Sequence, residues 1–148
     1  RLPLFFVRPF NYTGPGQAES FLIPKLVAHF ARKSPVVELG NLDVAREFND
    51  VAFVCEAYLR LLQCTLPGDV YNICTGIPVT LHTVIELLKQ LTAHEIEVKV
   101  NPQFVRNNEI KELYGSQSKL LGVVGEIIPV PLQSTLSNML QYTLQGGR

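Results

Sequence analysis

The sequence predicts an α/β fold of mixed short strands and four to five helices, and three observations lead there. Residues Leu2 to Val7 form a short apolar run rich in strand formers and bounded by turn residues, as expected of a strand buried on both faces. The run empties into a dense turn, RPFNYTGPGQ from Arg8 to Gln17, in which Pro9 fixes its own φ and Asn11, Thr13, Gly14, Pro15 and Gly16 break any continuing strand. Beyond it, segments of helical period alternate with short extended ones to the end of the chain. In open α/β sheets ligands bind outside the carboxyl ends of strands, so the turn is a candidate ligand wall as well as an ordinary strand-to-helix connection.

Each element follows from local chemistry. Pro24 is tolerated only in a first helical turn, so a helix begins near Phe21 to Pro24, runs to about Lys33 with Leu26, Val27 and Phe30 inward, and stops at Ser34 and Pro35. Val36 to Leu39 is a strand and Gly40 to Ala45 a polar loop. Asp50 is a plausible N-cap for a helix whose apolar residues Val51, Val54, Cys55, Tyr58 and Leu62 recur at steps of three and four. Pro67 and Gly68 close the connection to a strand over Val70 to Cys74. Thr80 caps a helix with Leu81, Val84, Ile85, Leu88 and Leu91 on one face, a stripe worth about 1.5–3 kcal/mol per buried side chain. Glu95 to Val100 alternates as a strand with one wet face. A short helix near Ser118 to Leu121 and a last one from Leu132 to Leu144, stopped by Gly146 and Gly147, complete the list.

Composition limits the functions available. The 148 residues suit a single domain over 1–148, and 47% hydrophobic with 18% charged residues is globular. Thirteen basic and thirteen acidic residues cancel, leaving no electrostatic footprint for nucleic acid or an anionic membrane. No apolar run is long enough to span a bilayer and no signal-peptide layout opens the chain, so a soluble, cytoplasmic protein is expected. Cys55, Cys64 and Cys74 fit neither a zinc site nor a redox pair, and two of them fall on apolar faces, which predicts buried, inert thiols. His29, His82 and His94 lack metal-ligand spacing and are assigned no chemistry.

Three motifs carry a resemblance. RPFNYTGPGQ, GNLDVAREF from Gly40 to Phe48 and YNICTG from Tyr71 to Gly76 resemble, in order and spacing, the C-terminal half of the extended short-chain dehydrogenase/reductases, the NAD-dependent epimerase/dehydratase family. The likeness continues through GSQSKLL, Gly115 to Leu121, and is nearest to the GDP-6-deoxy-mannose reductases, with GDP-mannose 4,6-dehydratases close behind. It implies the C-terminal part of a Rossmann-like enzyme that binds a GDP-sugar and uses NAD or NADP. By that resemblance Asn11 and Arg46 face the substrate diphosphate, Arg106 grips phosphate, and Glu109 accepts from ribose hydroxyls. Gln17 and the residues up to Phe21 lie where the nucleotide is wrapped, Asn41 lies near the base, and Pro9 and Phe10 pass near the nicotinamide. A guanidinium suits phosphate because it offers several donors in a rigid fork.

Each residue also has an ordinary explanation. Arg46 beside Glu47 reads equally as a solvated ion pair, Arg106 as a polar-loop arginine and Asn11 as a side chain bonded within its own turn. The chain also departs from the family pattern. Glu47 replaces a usual aspartate, Ala52 and Phe53 a common charged pair, Ser116 a frequent aspartate and Glu126 a frequent tryptophan. No GxxGxxG turn occurs, and none of Tyr12, Tyr58, Tyr71, Tyr114 or Tyr142 has a lysine four residues later.

With Arg1 in place of an initiator methionine, these gaps predict the nucleotide-sugar-binding half of a longer enzyme, inactive alone and without a cofactor of its own. The alternatives are a free-standing binding module without chemistry and an interaction domain that kept only the fold. An apolar first strand cut from its sheet neighbours further predicts self-association.

Overall fold

In the computed structural model, residues 4–64, 69–105 and 108–147 are described. Strands β1 (Phe6–Pro9) and β2 (Tyr12–Thr13) precede helix α1 (Leu22–Ala31). Strands β3 (Val36–Leu39), β4 (Ala45–Arg46) and β5 (Asn49–Asp50) lead into α2 (Val51–Gln63). Then come β6 (Val70–Ile73), β7 (Val79–Thr80), α3 (Leu81–Thr92), β8 (Glu97–Val100), a 3-10 turn over Pro102–Phe104, β9 (Glu112–Leu113), α4 (Ser118–Val124) and α5 (Leu132–Leu144). The pairing is mostly parallel: β1 with β6, β2 with β5, and β3 with β8. Strand β4 lies between antiparallel β7 and parallel β9. The predicted mixture of short strands and five helices is present, and parallel partners far apart in sequence require the helical crossovers the pattern implied.

Two apolar clusters organise the chain. The first packs Leu26, Val27 and Phe30 of α1 against Leu81, Val84, Ile85 and Leu88 of α3, with Leu136 and Met139 of α5 and Val37 and Leu39 of β3. Thr80 caps α3 as expected, its hydroxyl accepting from the Thr83 N–H at 3.2 Å. The second gathers Phe53, Val54, Ala57 and Leu61 of α2 with Tyr71 and Ile73 of β6 and Leu120 of α4. Asp50 joins the two: Oδ1 accepts from the Ala52 N–H at 2.7 Å as the cap of α2, while Oδ2 accepts from the buried Thr135 hydroxyl of α5, also at 2.7 Å. The cap read from sequence is thus also a tertiary tie.

Several expectations need correction. In α2 the inward face is Phe53, Val54, Ala57 and Leu61; Val51 and Cys55 are exposed and Leu62 is 69% exposed. The helix is apolar nearly all round, so its period admits two stripes, and packing on β6 and α4 selects between them. Strand β1 begins later than expected and is not buried on both faces. Phe6 is 62% exposed, because among the described residues β1 has one neighbour, β6, and one covered side. Of the cysteines, only Cys74 is buried; Cys55 points outward and Cys64 is half-buried. Val100, expected on the covered side of its strand, is exposed. Helix α4 runs a turn beyond Leu121, and Ala45 belongs to β4 rather than the preceding loop. Residues Leu2, Pro3, Pro67 and Gly68 lie outside the described residues. Among those described, no helix is long and apolar enough to cross a membrane.

Three outcomes follow from this packing. Leu88→Ala removes a fully buried side chain from the first cluster and should cost about 2–5 kcal/mol in denaturant unfolding. Burial first, and the neighbouring Glu47 charge second, push the Cys74 thiol up to about 11. It therefore stays protonated at neutral pH, and a maleimide should label Cys55 in the native chain but Cys74 only after unfolding. The open edge of β1, flanked by exposed Leu4 and Phe6, should drive self-association. Light scattering checks this, and a strict monomer with β1 amides protected from exchange would refute it.

Candidate functional site

A cleft of about 910 Å³ opens where the loop after β1, the first turn of α1, the segment after β3 and strand β4 meet. Seven of the eight residues singled out from sequence line it: Pro9, Phe10, Asn11, Gln17, Asn41, Arg46 and Glu109. The eighth, Arg106, lies outside the described residues. These positions span a hundred residues of chain, so it is the fold that brings them together.

The loop from Pro9 to Gln17 is held by its backbone. The Phe10 N–H donates to the Ile73 carbonyl at 2.9 Å, and the Asn11 carbonyl accepts from the Asn49 N–H at 2.9 Å and from its Nδ2 at 3.2 Å. The Asn11 side chain is exposed and has no hydrogen-bond partner among the described residues, so it does not brace its own turn. Gln17 does brace the loop: its Oε1 accepts from the buried Thr13 hydroxyl at 2.6 Å. Gly14 has no room for a side chain, since a Cβ would lie 2.5 Å from Val51 Cγ1.

On the opposite wall, the Asn41 Oδ1 accepts from the Asp43 N–H at 3.0 Å and closes a local turn. Gly40 permits close approach of that turn to the 3-10 segment, as a Cβ would sit 2.4 Å from the Phe104 carbonyl oxygen. Arg46 projects between the two walls. Its Nη1 donates to the Ala45 carbonyl at 2.8 Å and the Lys111 carbonyl at 3.3 Å, while Nη2 lies 3.8 Å from Glu109 Oε1. That separation exceeds the 2.7–2.9 Å of a charge-assisted hydrogen bond, so Glu109 tempers the guanidinium charge without saturating its donors.

The ordinary reading of Arg46 as paired with Glu47 does not hold. Adjacent strand residues face opposite ways, and Glu47 is turned into the interior with 1% exposure. Its Oε2 accepts from the Thr75 N–H at 2.7 Å and Asn49 Nδ2 at 3.2 Å, and its Oε1 from the Gly115 N–H at 2.6 Å.

Sequence reasoning also missed cleft residues with no motif to mark them. Lys25, on the first turn of α1, donates to the Glu38 carbonyl at 2.7 Å and lies 4.7 Å from the centre of the Phe104 ring. Leu22 adds exposed apolar surface beside Phe21, the end of the segment that the resemblance places at the nucleotide, and Phe21 caps α1 without a side-chain bond, leaving the helix N-terminus open on the cleft. A helix N-terminus with Lys25 and Arg46 beside it favours an anion, and the aromatic and apolar wall favours a planar group. Among the described residues, no cluster of three His, Cys, Asp or Glu side chains could hold a metal.

Known proteins share this fold and much of this sequence. The family model for GDP-mannose 4,6 dehydratase matches residues 1–125. The chain is 42% identical over 119 residues to the GDP-6-deoxy-D-talose 4-dehydrogenase of Aggregatibacter actinomycetemcomitans, covering 80% of this chain and 40% of that protein. It is 36% identical over 138 residues to the GDP-6-deoxy-D-mannose reductase of Pseudomonas aeruginosa, covering 90% and 45%. The solved structure of RMD from Pseudomonas aeruginosa complexed with NADPH superposes with a TM-score of 0.89 at 33% identity, covering 96% of this chain and 48% of that one. The chain therefore spans less than half the length of these relatives. By the extent of the family match and the reductase-like fold, the chain belongs to the GDP-mannose 4,6-dehydratase family.

Proposed function

We propose that this chain is the nucleotide-sugar-binding part of an NAD(P)-dependent sugar-nucleotide reductase or dehydratase of the GDP-6-deoxy-mannose type. The observation that carries the reading is the convergence of seven of the eight singled-out residues, Arg46 among them, on one cleft. In this reading the diphosphate lies against Arg46, Asn11 and the open N-terminus of α1. Nη2 and Nε of Arg46 are the donors available to it, because carbonyl oxygens hold Nη1. Glu109 then moves from tempering the guanidinium to accepting from ribose hydroxyls, and Arg106 adds a second cation. Gln17 and Asn41 act by shaping the walls, as their side chains are engaged within their own turns.

The nicotinamide cofactor, NAD or NADP, would supply the hydride when bound. The residues present fit only one side of it: Pro9 and Phe10 form a wall, whereas the 148 residues contain no glycine-rich dinucleotide turn and no tyrosine–lysine pair to exchange a proton. No catalytic residue is assigned to this chain. A second reading, a binding module without chemistry, is favoured by that same lack of a proton-transfer pair.

Calorimetry tests the proposal. GDP should bind the chain, more weakly as ionic strength rises. Arg46→Ala should lose about 1.5–3 kcal/mol, the contribution of hydrogen bonds to a charged group, or roughly ten- to a hundredfold in Kd. No binding of GDP or GDP-mannose at millimolar concentration would overturn it. Turnover of a GDP-sugar when the chain is joined to a cofactor-binding half would favour the enzyme, and binding without turnover the module.

A further inference from the structure

We propose that Glu47 is a positioning residue that sets the Phe10–Asn11 loop and the Arg46 strand at a fixed distance across the cleft. The inference deepens the nucleotide-sugar reading and rests on it for the meaning of the cleft. Glu47 touches no part of the cleft itself, yet each of its bonds leads to a residue that does.

One route runs through Asn49. The carboxylate holds Nδ2 of Asn49 at 3.2 Å, and Asn49 binds the Asn11 carbonyl through both its backbone N–H at 2.9 Å and that same Nδ2 at 3.2 Å. The Thr75 hydroxyl, 2.8 Å from Asn49 Oδ1, locks the amide orientation, and the Thr75 N–H itself donates to Glu47. The other route runs through Gly115. Its N–H donates to Glu47 Oε1 at 2.6 Å, and the Phe10 ring rests against its bare Cα, where a Cβ would lie 2.6 Å from Phe10 Cζ. Gly115 also anchors the end of the β9 segment. That segment pairs with β4 and supplies the Lys111 carbonyl that receives Arg46 Nη1.

A carboxylate is required here rather than an isostere. Both oxygens face N–H donors, and no donor group could take either place without opposing another donor. In Glu47→Gln the amide oxygen can serve Thr75 and Asn49, but the amide nitrogen then faces the Gly115 N–H. The variant should release Gly115, and with it the Phe10 ring and the β9 side of Arg46.

The test measures GDP affinity by calorimetry and amide exchange by NMR on the whole chain. Leu88→Ala serves as a control that destabilises the α1–α3 cluster at a residue that neither lines the cleft nor bonds to Glu47. Below the melting temperature of both variants, Glu47→Gln should weaken GDP binding at least fivefold, exchange the Gly115 amide faster and shift the Phe10 ring signals. Leu88→Ala should leave all three within twofold or unmoved. Gly115→Ala, which keeps Glu47 but displaces Phe10, should reproduce the affinity loss and replaces Glu47→Gln if that variant does not fold.

Wild-type-like affinity in Glu47→Gln, or an equal loss in Leu88→Ala, overturns the positioning role. If the wild-type chain binds no GDP, the nucleotide-sugar reading fails instead. Glu47 is then judged on the Gly115 amide and Phe10 signals alone: unchanged signals overturn its role and altered ones uphold it.

Discussion

The structure depends on a buried carboxylate that no cation neutralises among the described residues. Glu47 is held by the Gly115 and Thr75 N–H groups and the Asn49 amide, and these partners come from three separate stretches of chain. Such a group costs several kcal/mol in desolvation when isolated, so its burial is tolerable only with its lone pairs satisfied. Charge-assisted hydrogen bonds of this kind are roughly twice as strong as neutral ones. Strands β2, β4, β5, β7 and β9 are two residues long, too short to hold a register unaided. The carboxylate, next to β4, ties it to Asn49 of β5 and to Gly115 just beyond β9.

Around that anchor the apolar clusters act as two walls. The α1–α3–α5 cluster carries the open end of α1 and the β3 turn, and the α2–α4–β6 cluster carries β1 and its following loop. Asp50 ties them by capping α2 with one oxygen and binding Thr135 of α5 with the other. The cleft lies between walls that are each rigid for hydrophobic reasons, in a relative position set by a few buried polar bonds. This division suits a binding site, because apolar packing is non-directional whereas hydrogen bonds specify geometry.

Family membership and the cleft are separate observations, one from sequence and fold and one from side-chain placement. Under the proposed reading the residues gathered in the cleft serve binding, and the 148 residues contain neither a dinucleotide turn nor a tyrosine–lysine pair. The chain spans less than half the length of the relatives it matches, one of which is structurally known with NADPH.

What the sequence determined by itself was local. Thr80 and Asp50 marked helix starts because caps bond within two or three residues, and the bounds of α5 and the inward face of α3 followed from period. The cleft residues were legible because motif order implied them, though only the fold brings Asn11 near Arg46. Tertiary structure alone decided which apolar stripe of α2 turns inward, that β1 leaves Phe6 in solvent, and that Cys55 is outward while Cys74 is buried. It also decided that Glu109 and not Glu47 faces Arg46, and that Lys25 and Phe104 join the site. Each depends on a partner tens of residues away, and periodicity carries no record of which surface a distant segment will cover.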